Sequence, residues 1–347
     1  MVHLNERKII MADEKSKATL LKEEIFMKGK KGVAALSAEE VEKADDFCVG
    51  YKKFLDHSPV EREAVSYTLE LAKKAGFTEY DENASYNAGD KVYYVNRDKA
   101  IALAVIGKNG VKNGARLAIA HIDSPRIDLK PNPLYEDTNL ALFKTHYYGG
   151  LKKYQWTALP LSLHGTVVKL DGTKVNITWG DDENESCFCV TDLLPHLAKD
   201  QVSKPLAKVF TGEDLNVLVG SRPYEDGNDE KDLVKLNVMS ILNKKYGIVE
   251  GDFLSAELCL IPSFKARDIG FDASMIGGYG HDDKVCAYPA LMASLDVETP
   301  EQTCVTYLTD KEETGSDGNT GMQSDFLRYF ISVSYTHLRA HETLMNL

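Results

Sequence analysis

The sequence predicts an α/β protein in which a sheet-and-helix domain is interrupted by a β-rich insertion. Three observations predict it. Capped helical patterns near the start lead into short β-branched runs between residues 91 and 120. After Arg126 the composition shifts, and residues 129–265 carry many strand-like runs separated by acidic, glycine-bearing loops. Beyond residue 267 the chain returns to a glycine-rich turn, a helical pattern and a buried-strand pattern at 303–309. A length of 347 residues suffices for two domains of ordinary size. The expected boundaries are 1–128 and 267–332 for the interrupted domain and 129–266 for the insertion, with 333–347 as a tail of different character.

The elements follow in order. Residues 37–55 read as the first clear helix, because Ser37 and Glu40 make a capping box. Residues 58–75 read as the second: Ser58 caps, Pro59 takes the first helical position, Glu61 completes another box and Gly76 ends it. Val65, Leu69 and Ala72 form its apolar stripe. Runs 91–96 and 100–106 flank Asn96-Arg97-Asp98-Lys99 and predict a hairpin. A third run, 116–120, ends at His121-Ile122-Asp123-Ser124-Pro125-Arg126.

In the insertion, runs 163–170 and 175–179 flank the turn pair Asp171-Gly172. Residues 215–219 and 256–261 read as further strands, and 231–245 as a helix with Val234, Val238, Ile241 and Leu242 on one face. His146 and His164 lie in apolar surroundings and read as structural. His196 reads as a partly buried structural histidine, with a site role as the alternative. Tyr147-Tyr148-Gly149-Gly150 and Trp156 read as packing or interface residues. Past the insertion, 277–284 is glycine-rich and then polar, and opens a helix at 285–295 that Pro289 kinks.

Composition narrows the function. A formal net charge of −12 argues against nucleic-acid binding. No apolar run approaches the ~18–20 residues of a membrane span. Six cysteines without a CxxC pair suit free thiols in a reducing cytosol, so a cytoplasmic location is expected. The first residues carry no long apolar segment of a secretory signal, and Met11 is an alternative start that would make 1–10 an upstream extension.

The chemistry is expected at three stretches. Asp310-Lys311-Glu312-Glu313-Thr314-Gly315-Ser316 follows the 303–309 strand. In an extended segment neighbouring side chains point to opposite sides, so one glutamate can bind a metal while the other moves protons; a solvated acidic turn is the alternative. His121 at a strand end can be a metal ligand, with Asp123 accepting its other ring N–H and fixing the tautomer; a surface turn is the alternative. Asp282 and Asp283 open a helix, where an acidic residue is favourable with or without a site. Together, histidine and carboxylates fit a metal-assisted hydrolase using zinc, manganese or cobalt.

Three ordered stretches resemble those of M18-family aminopeptidases, the aspartyl aminopeptidase type and especially the bacterial members. They are Ala120-His121-Ile122-Asp123-Ser124-Pro125-Arg126, continuing through Leu129-Lys130-Pro131-Asn132-Pro133-Leu134-Tyr135; Gly280-His281-Asp282-Asp283-Lys284-Val285-Cys286-Ala287-Tyr288; and Asp310–Ser316 with Gly318-Asn319-Thr320-Gly321. The resemblance covers residues 38–332. It implies a sheet-and-helix metallopeptidase catalytic domain interrupted by a β-rich dimerisation domain. It implies two divalent metal ions, zinc first, with His121 binding one, Glu313 the other and Asp282 bridging both. Glu312 would be the general base and acid, with Asp123 orienting His121. The implied substrates are peptides, cleaved at N-terminal Asp or Glu in many members, and the implied assembly is a homo-dodecamer.

The chain also departs from the family. Only 34 residues follow Glu313, and the stretch from Val333 to Thr343 does not resemble the family. It reads like an in-frame translation of a transposase-type adapter, so the last authentic residue is expected near Ile331 or Ser332. Three of five expected ligands remain, and the chain as it stands is expected to be weak or inactive. His337 and His341, spaced i, i+4 and followed by Glu342, are not H-E-x-x-H. Two other readings stay open: a related dinuclear amide hydrolase, and a non-catalytic shell protein with a degenerate site.

Overall fold

The structure, a computed structural model, describes residues 16–337 except 28, 30, 31, 33, 34, 112, 113 and 226–229, with side chains through Ser332. The extension 1–10, His341 and the side chain of His337 lie outside the described residues. Residues 1–49 and 50–347 form two units. In the first, helix α1 (Lys17–Ile25) is capped by Ser16, whose hydroxyl accepts from the Thr19 N–H. Helix α2 (Ala38–His57) opens on the expected box: the Ser37 N–H donates to Glu40 Oε2 at 2.7 Å, and the Glu40 N–H donates to Ser37 Oγ at 3.3 Å.

The second unit contains two main sheets. The first has the order β1-β2-β3-β14-β4, from β1 (Thr78–Glu79), β2 (Lys91–Asn96), β3 (Ala100–Val105), β4 (Arg116–His121) and β14 (Cys304–Thr309). The hairpin β2–β3 forms as expected, with Asn96 opposite Ala100. Its loop residues Arg97 and Asp98 are both left-handed, at φ 54° and 59°. β3 is buried along its whole length. Its side chains alternate between faces. Ile101, Leu103 and Val105 join a core with α3 (Glu61–Lys74) and α6 (His281–Asp296). Ala100, Ala102 and Ala104 face a second core containing Leu327 and Phe330 of α7 (Phe326–His337). β14 runs antiparallel to β3 but parallel to β4, with Thr309 paired to His121.

The second sheet is built entirely from residues between 126 and 262. Its order is β8-β7-β11-β5-β6-β10-β9. The strands are β5 (Arg126–Asp137), β6 (Leu140–Tyr148), β7 (Leu161–Val168), β8 (Lys174–Trp179), β9 (Cys189–Val190), β10 (Val217–Gly220) and β11 (Glu257–Pro262). A short helix α4 (Lys199–Val202) and the longer α5 (Leu233–Tyr246) belong to the same stretch, and Val234 and Leu242 of α5 join the sheet's core. β12 (Arg267–Ile269) and β13 (Met275–Gly277) form a separate hairpin before α6. The long pair β5–β6 escaped the sequence reading. Pro131 and Pro133 interrupt its pattern, and they fall inside a register shift between Leu129 and Leu134, where a missing N–H is tolerated.

Several expectations need correction. The second helix begins at Glu61, not Ser58: Val60 is its cap and makes no side-chain cap bond. The Ser58 hydroxyl is buried without a hydrogen-bond partner among the described residues. Glu61 does not complete a box. It is drawn away into a buried pair with Arg126, whose Nη1 lies 2.9 Å from Glu61 Oε2 while its Nε reaches Asp128 Oδ1 at 2.7 Å. His146 and His196 are exposed rather than structural: His146 takes an outward position on β6 beside buried Thr145, and His196 lies in the exposed run 191–197.

His164 is buried as expected, but among polar groups. Its Nδ1 meets Glu63 Oε1 at 2.9 Å, and its Nε2 meets Ser162 Oγ at 2.9 Å and Asp181 Oδ1 at 3.2 Å. Burial pulls the ring's pKa down, but the carboxylates of Asp181 and Glu63 outweigh it and hold the ring at about 9, above its ordinary 6.5. A raised folded value stabilises the protein fully below 6.5, and that contribution is lost as pH rises through about 9. Replacing His164 with Gln is expected to cost about 1.5–3 kcal/mol at pH 6 and clearly less above pH 9.5. Denaturant unfolding of both proteins across that range checks it, and a pH-independent difference refutes the charged-ring account.

Candidate active site

The site forms where parallel strands end. In open α/β sheets, ligands sit outside the carboxyl ends of the strands. β4 and β14 are parallel and in register, so His121 and the turn after Thr309 emerge side by side. The Ile122 N–H donates to the Thr309 carbonyl at 2.9 Å and carries the pairing one residue further.

The glutamate pair does not lie on an extended segment. Lys311 is left-handed at φ 71°, and Glu312–Thr314 form one 3₁₀ turn closed by Gly315 at φ 92°. The chain turns because buried Asp310 holds it: Oδ1 accepts the Lys311 N–H at 2.8 Å and Oδ2 accepts the Thr320 hydroxyl at 2.7 Å. Glu312 and Glu313 therefore diverge by a turn rather than by strand alternation. Their N–H groups converge instead on one acceptor.

That acceptor is Asp123, fully buried. Its Oδ1 accepts from the Glu312 N–H at 3.2 Å and lies 3.3 Å from His121 Nδ1. Its Oδ2 accepts from the Tyr148 hydroxyl at 2.7 Å and from the Glu313 N–H at 3.2 Å. The expected orientation of His121 by Asp123 is present, with a refinement. The shorter contact of Nδ1, 3.0 Å, is to the Asp123 backbone carbonyl. Burial raises the Asp123 carboxyl, but the hydrogen bonds from His121 and Tyr148 outweigh it and keep it below the ordinary carboxylate range.

The other ring nitrogen faces the open side. His121 Nε2 lies 3.2 Å from Asp282 Oδ1 and 3.5 Å from Glu312 Oε2. Burial lowers the His121 ring's pKa, but the Asp123 contacts outweigh it and hold it at about 9. Asp282 comes from the start of α6, where Asp282 and Asp283 both leave helical geometry. Glu313 packs against the second sheet. A Cβ on Gly149 would stand 2.9 Å from Glu313 Oε2, and Gly149 is left-handed at φ 71°. Burial and then the Asp123 charge raise the Glu313 carboxyl.

His121, Asp123, Asp282 and Glu312 are thus brought together by side chain, and Glu313 joins them through its backbone. The donors suit a divalent ion in kind: an imidazole with its second nitrogen anchored, which would bind in its neutral form, beside the Asp282 and Glu312 carboxylates. In number they do not yet suffice, because no three histidine, cysteine or acidic side chains among the described residues converge into a metal-binding group.

The sequence reading missed Tyr148, which it placed in packing, and Asp310, Ser124 and Lys284. Lys284 is wholly buried, and burial pulls it to about 8. The available signal for Tyr148 was the Gly149-Gly150 pair beside it, since paired glycines mark close backbone approach.

A family model described as Aminopeptidase I zinc metalloprotease (M18) matches residues 54–346. A probable M18 family aminopeptidase 1 of Clostridium acetobutylicum is 48% identical over 306 residues, which is 85% of this chain and 66% of that protein. Its counterpart in Borrelia garinii subsp. bavariensis is 44% identical over 322 residues, 90% of this chain and 70% of that protein. The crystal structure of the M18 aminopeptidase from Thermotoga maritima matches with a TM-score of 0.85 at 41% identity, covering 91% of this chain and 68% of that one. The chain spans about two thirds of the length of these relatives.

If Asp123 is the acceptor that gathers these segments, Asp123→Asn turns an amide toward donors and is expected to cost about 1–3 kcal/mol. Tyr148→Phe removes one donor and costs about 0.5–1.5 kcal/mol. Chemical denaturation of the two variants measures both, and equal stability of Asp123→Asn and the parent refutes the assignment.

Proposed function

The chain belongs to the M18 aminopeptidase family, and from that premise we propose that the protein is an aminopeptidase working with two divalent ions. Zinc comes first, and manganese or cobalt would suit the same donors. Because the chain spans about two thirds of its relatives, the activity is assigned to the whole protein. His121 would hold one ion, Glu313 the other, and Asp282 both. The observation that carries this reading is His121 Nε2 facing Asp282 Oδ1 at 3.2 Å while Nδ1 is anchored on Asp123.

Bound there, the ions would supply Lewis acidity and a water acidic enough to attack near neutral pH. The remaining steps belong to the chain. Glu312, half exposed beside His121, takes a proton from the attacking water and gives it to the leaving amine. Asp123 keeps the His121 ring in one orientation and holds the Glu312–Glu313 turn in place. Both roles are positional, since Asp123 is sealed from solvent.

The substrates would be peptides cut behind their N-terminal residue, with Asp and Glu as the first side chains to try. The assembly would be a homo-dodecamer. A yeast relative of the same fold is described as a dodecamer. The six free cysteines favour the reducing cytoplasm as its compartment.

In the full-length protein, Glu312→Gln is expected to lower kcat on Asp- or Glu-p-nitroanilide by about 10²–10⁴ with metal content unchanged. His121→Ala is expected to lose bound metal. Wild-type turnover by Glu312→Gln would remove its role as base. Faster cleavage of N-blocked than of free-amine substrates would move the protein to the amide hydrolases.

A further inference from the structure

Lys284 is 0% exposed, just past the point where the chain enters α6 from the site. A buried ammonium is costly and is usually set against a carboxylate. This one donates to two neutral oxygens, Ser124 Oγ at 2.7 Å and the Pro59 carbonyl at 3.4 Å. The charges of Asp123 and Glu61 offset only part of the cost of burying it, and an apolar side chain of similar volume is often as stable in such a place.

The Ser124 hydroxyl passes the contact on, donating to the Asp282 carbonyl at 3.3 Å. Asp282 needs such a hold. Its side chain is 85% exposed, so packing does not place it. Its backbone, at φ −85° and ψ 109°, lies outside the helical geometry that would otherwise fix it. Gly280 leaves room for the arrangement. A Cβ there would stand 2.8 Å from Lys284 Nζ and 3.0 Å from Ser124 Oγ.

We propose that Lys284 is a positioning residue: through Ser124 it fixes the Asp282 backbone and so keeps the Asp282 carboxylate facing His121 Nε2. The relay joins the end of β4 to the start of α6. This inference rests on the metal-centre reading above, and its test keeps the two apart.

The test uses this chain and its Lys284→Met, Ser124→Ala and double variants. Each is titrated with zinc by calorimetry, unfolded in denaturant and crystallised. Lys284→Met is expected to be at least as stable as the parent yet to bind zinc about tenfold or more weakly, within the range for groups that orient ligands. Ser124→Ala is expected to weaken zinc binding similarly. The double variant is expected to be no weaker than the singles, because all three break one relay. Wild-type zinc affinity in both singles overturns the proposal, as does a loss of affinity that merely tracks a loss of stability. If the parent takes up no zinc, the donors of this chain alone do not hold the ion, and the crystal structures decide the relay. Asp282 standing unmoved against His121 in both variants then overturns it.

Discussion

One buried carboxylate holds the centre together. Asp123 lies on the two-residue overhang of β4 and takes hydrogen bonds from β4 itself, from the turn after β14 and from the end of β6. A buried carboxylate must be satisfied or neutralised. Here the donors that satisfy it are the backbone of the acidic turn and a tyrosine of the second sheet. The folding constraint and the functional constraint are therefore the same. The donors cannot reach Asp123 without bringing Glu312 and Glu313 next to His121.

The second sheet enters the site through the same contact. Tyr148 ends β6, and the next residue, Gly149, leaves room for the Glu313 carboxylate. Behind it, the Arg126 guanidinium stacks over the Tyr148 ring at 4.2 Å and pairs with Glu61 of α3. Burial works against the Glu61 charge, and Arg126 together with Lys99 and a backbone N–H outweighs it, holding the Glu61 carboxyl below its ordinary range. Removing either partner of such a pair strands a buried charge, at a cost of about 3–5 kcal/mol. The wall of the site is thus held by a strand, a helix and an ion pair that lie far apart in sequence.

Much of this was legible in the residues, for identifiable reasons. Alternation and capping revealed α2, β2, β3 and the hairpin β7–β8, because those patterns are local. The ligand candidates were legible only jointly: His-x-Asp alone reads as a surface turn and Glu-Glu as an acidic turn, while the three ordered stretches together point to metal chemistry. What stayed hidden was non-local. Ser58, Pro59 and Glu61 form an acceptable local start for a helix, yet Arg126, 65 residues away, claims Glu61 and the helix starts later. Tyr148 looked like any aromatic beside glycines, since nothing near it in sequence shows the carboxylate it serves. The extended-strand premise for Glu312 and Glu313 failed because Asp310 bends the chain, and a buried aspartate reads like an exposed one.

The charges of the centre also explain its perturbed groups. Asp123, Asp282 and Glu312 lie within 3.2–3.5 Å of the His121 ring nitrogens, and Glu313 stands nearby on the same turn. Carboxylates at close range disfavour one another's ionisation, and a cation among them relieves it. Two shifts show the Asp123 charge at work. The His121 ring is held at about 9, where it stays positive in neutral solution. Glu313 is raised, by burial first and by the Asp123 charge next. Lys284, a buried cation, hydrogen-bonds to neutral oxygens and is itself pulled to about 8 by burial, so it does not neutralise the cluster through direct pairing. The proton on His121 does part of that work. A divalent ion is the stronger solution, because it carries twice the charge and needs the imidazole neutral, releasing that proton on binding. The same crowding that makes the centre costly as bare protein is what would favour a metal in the proposed centre.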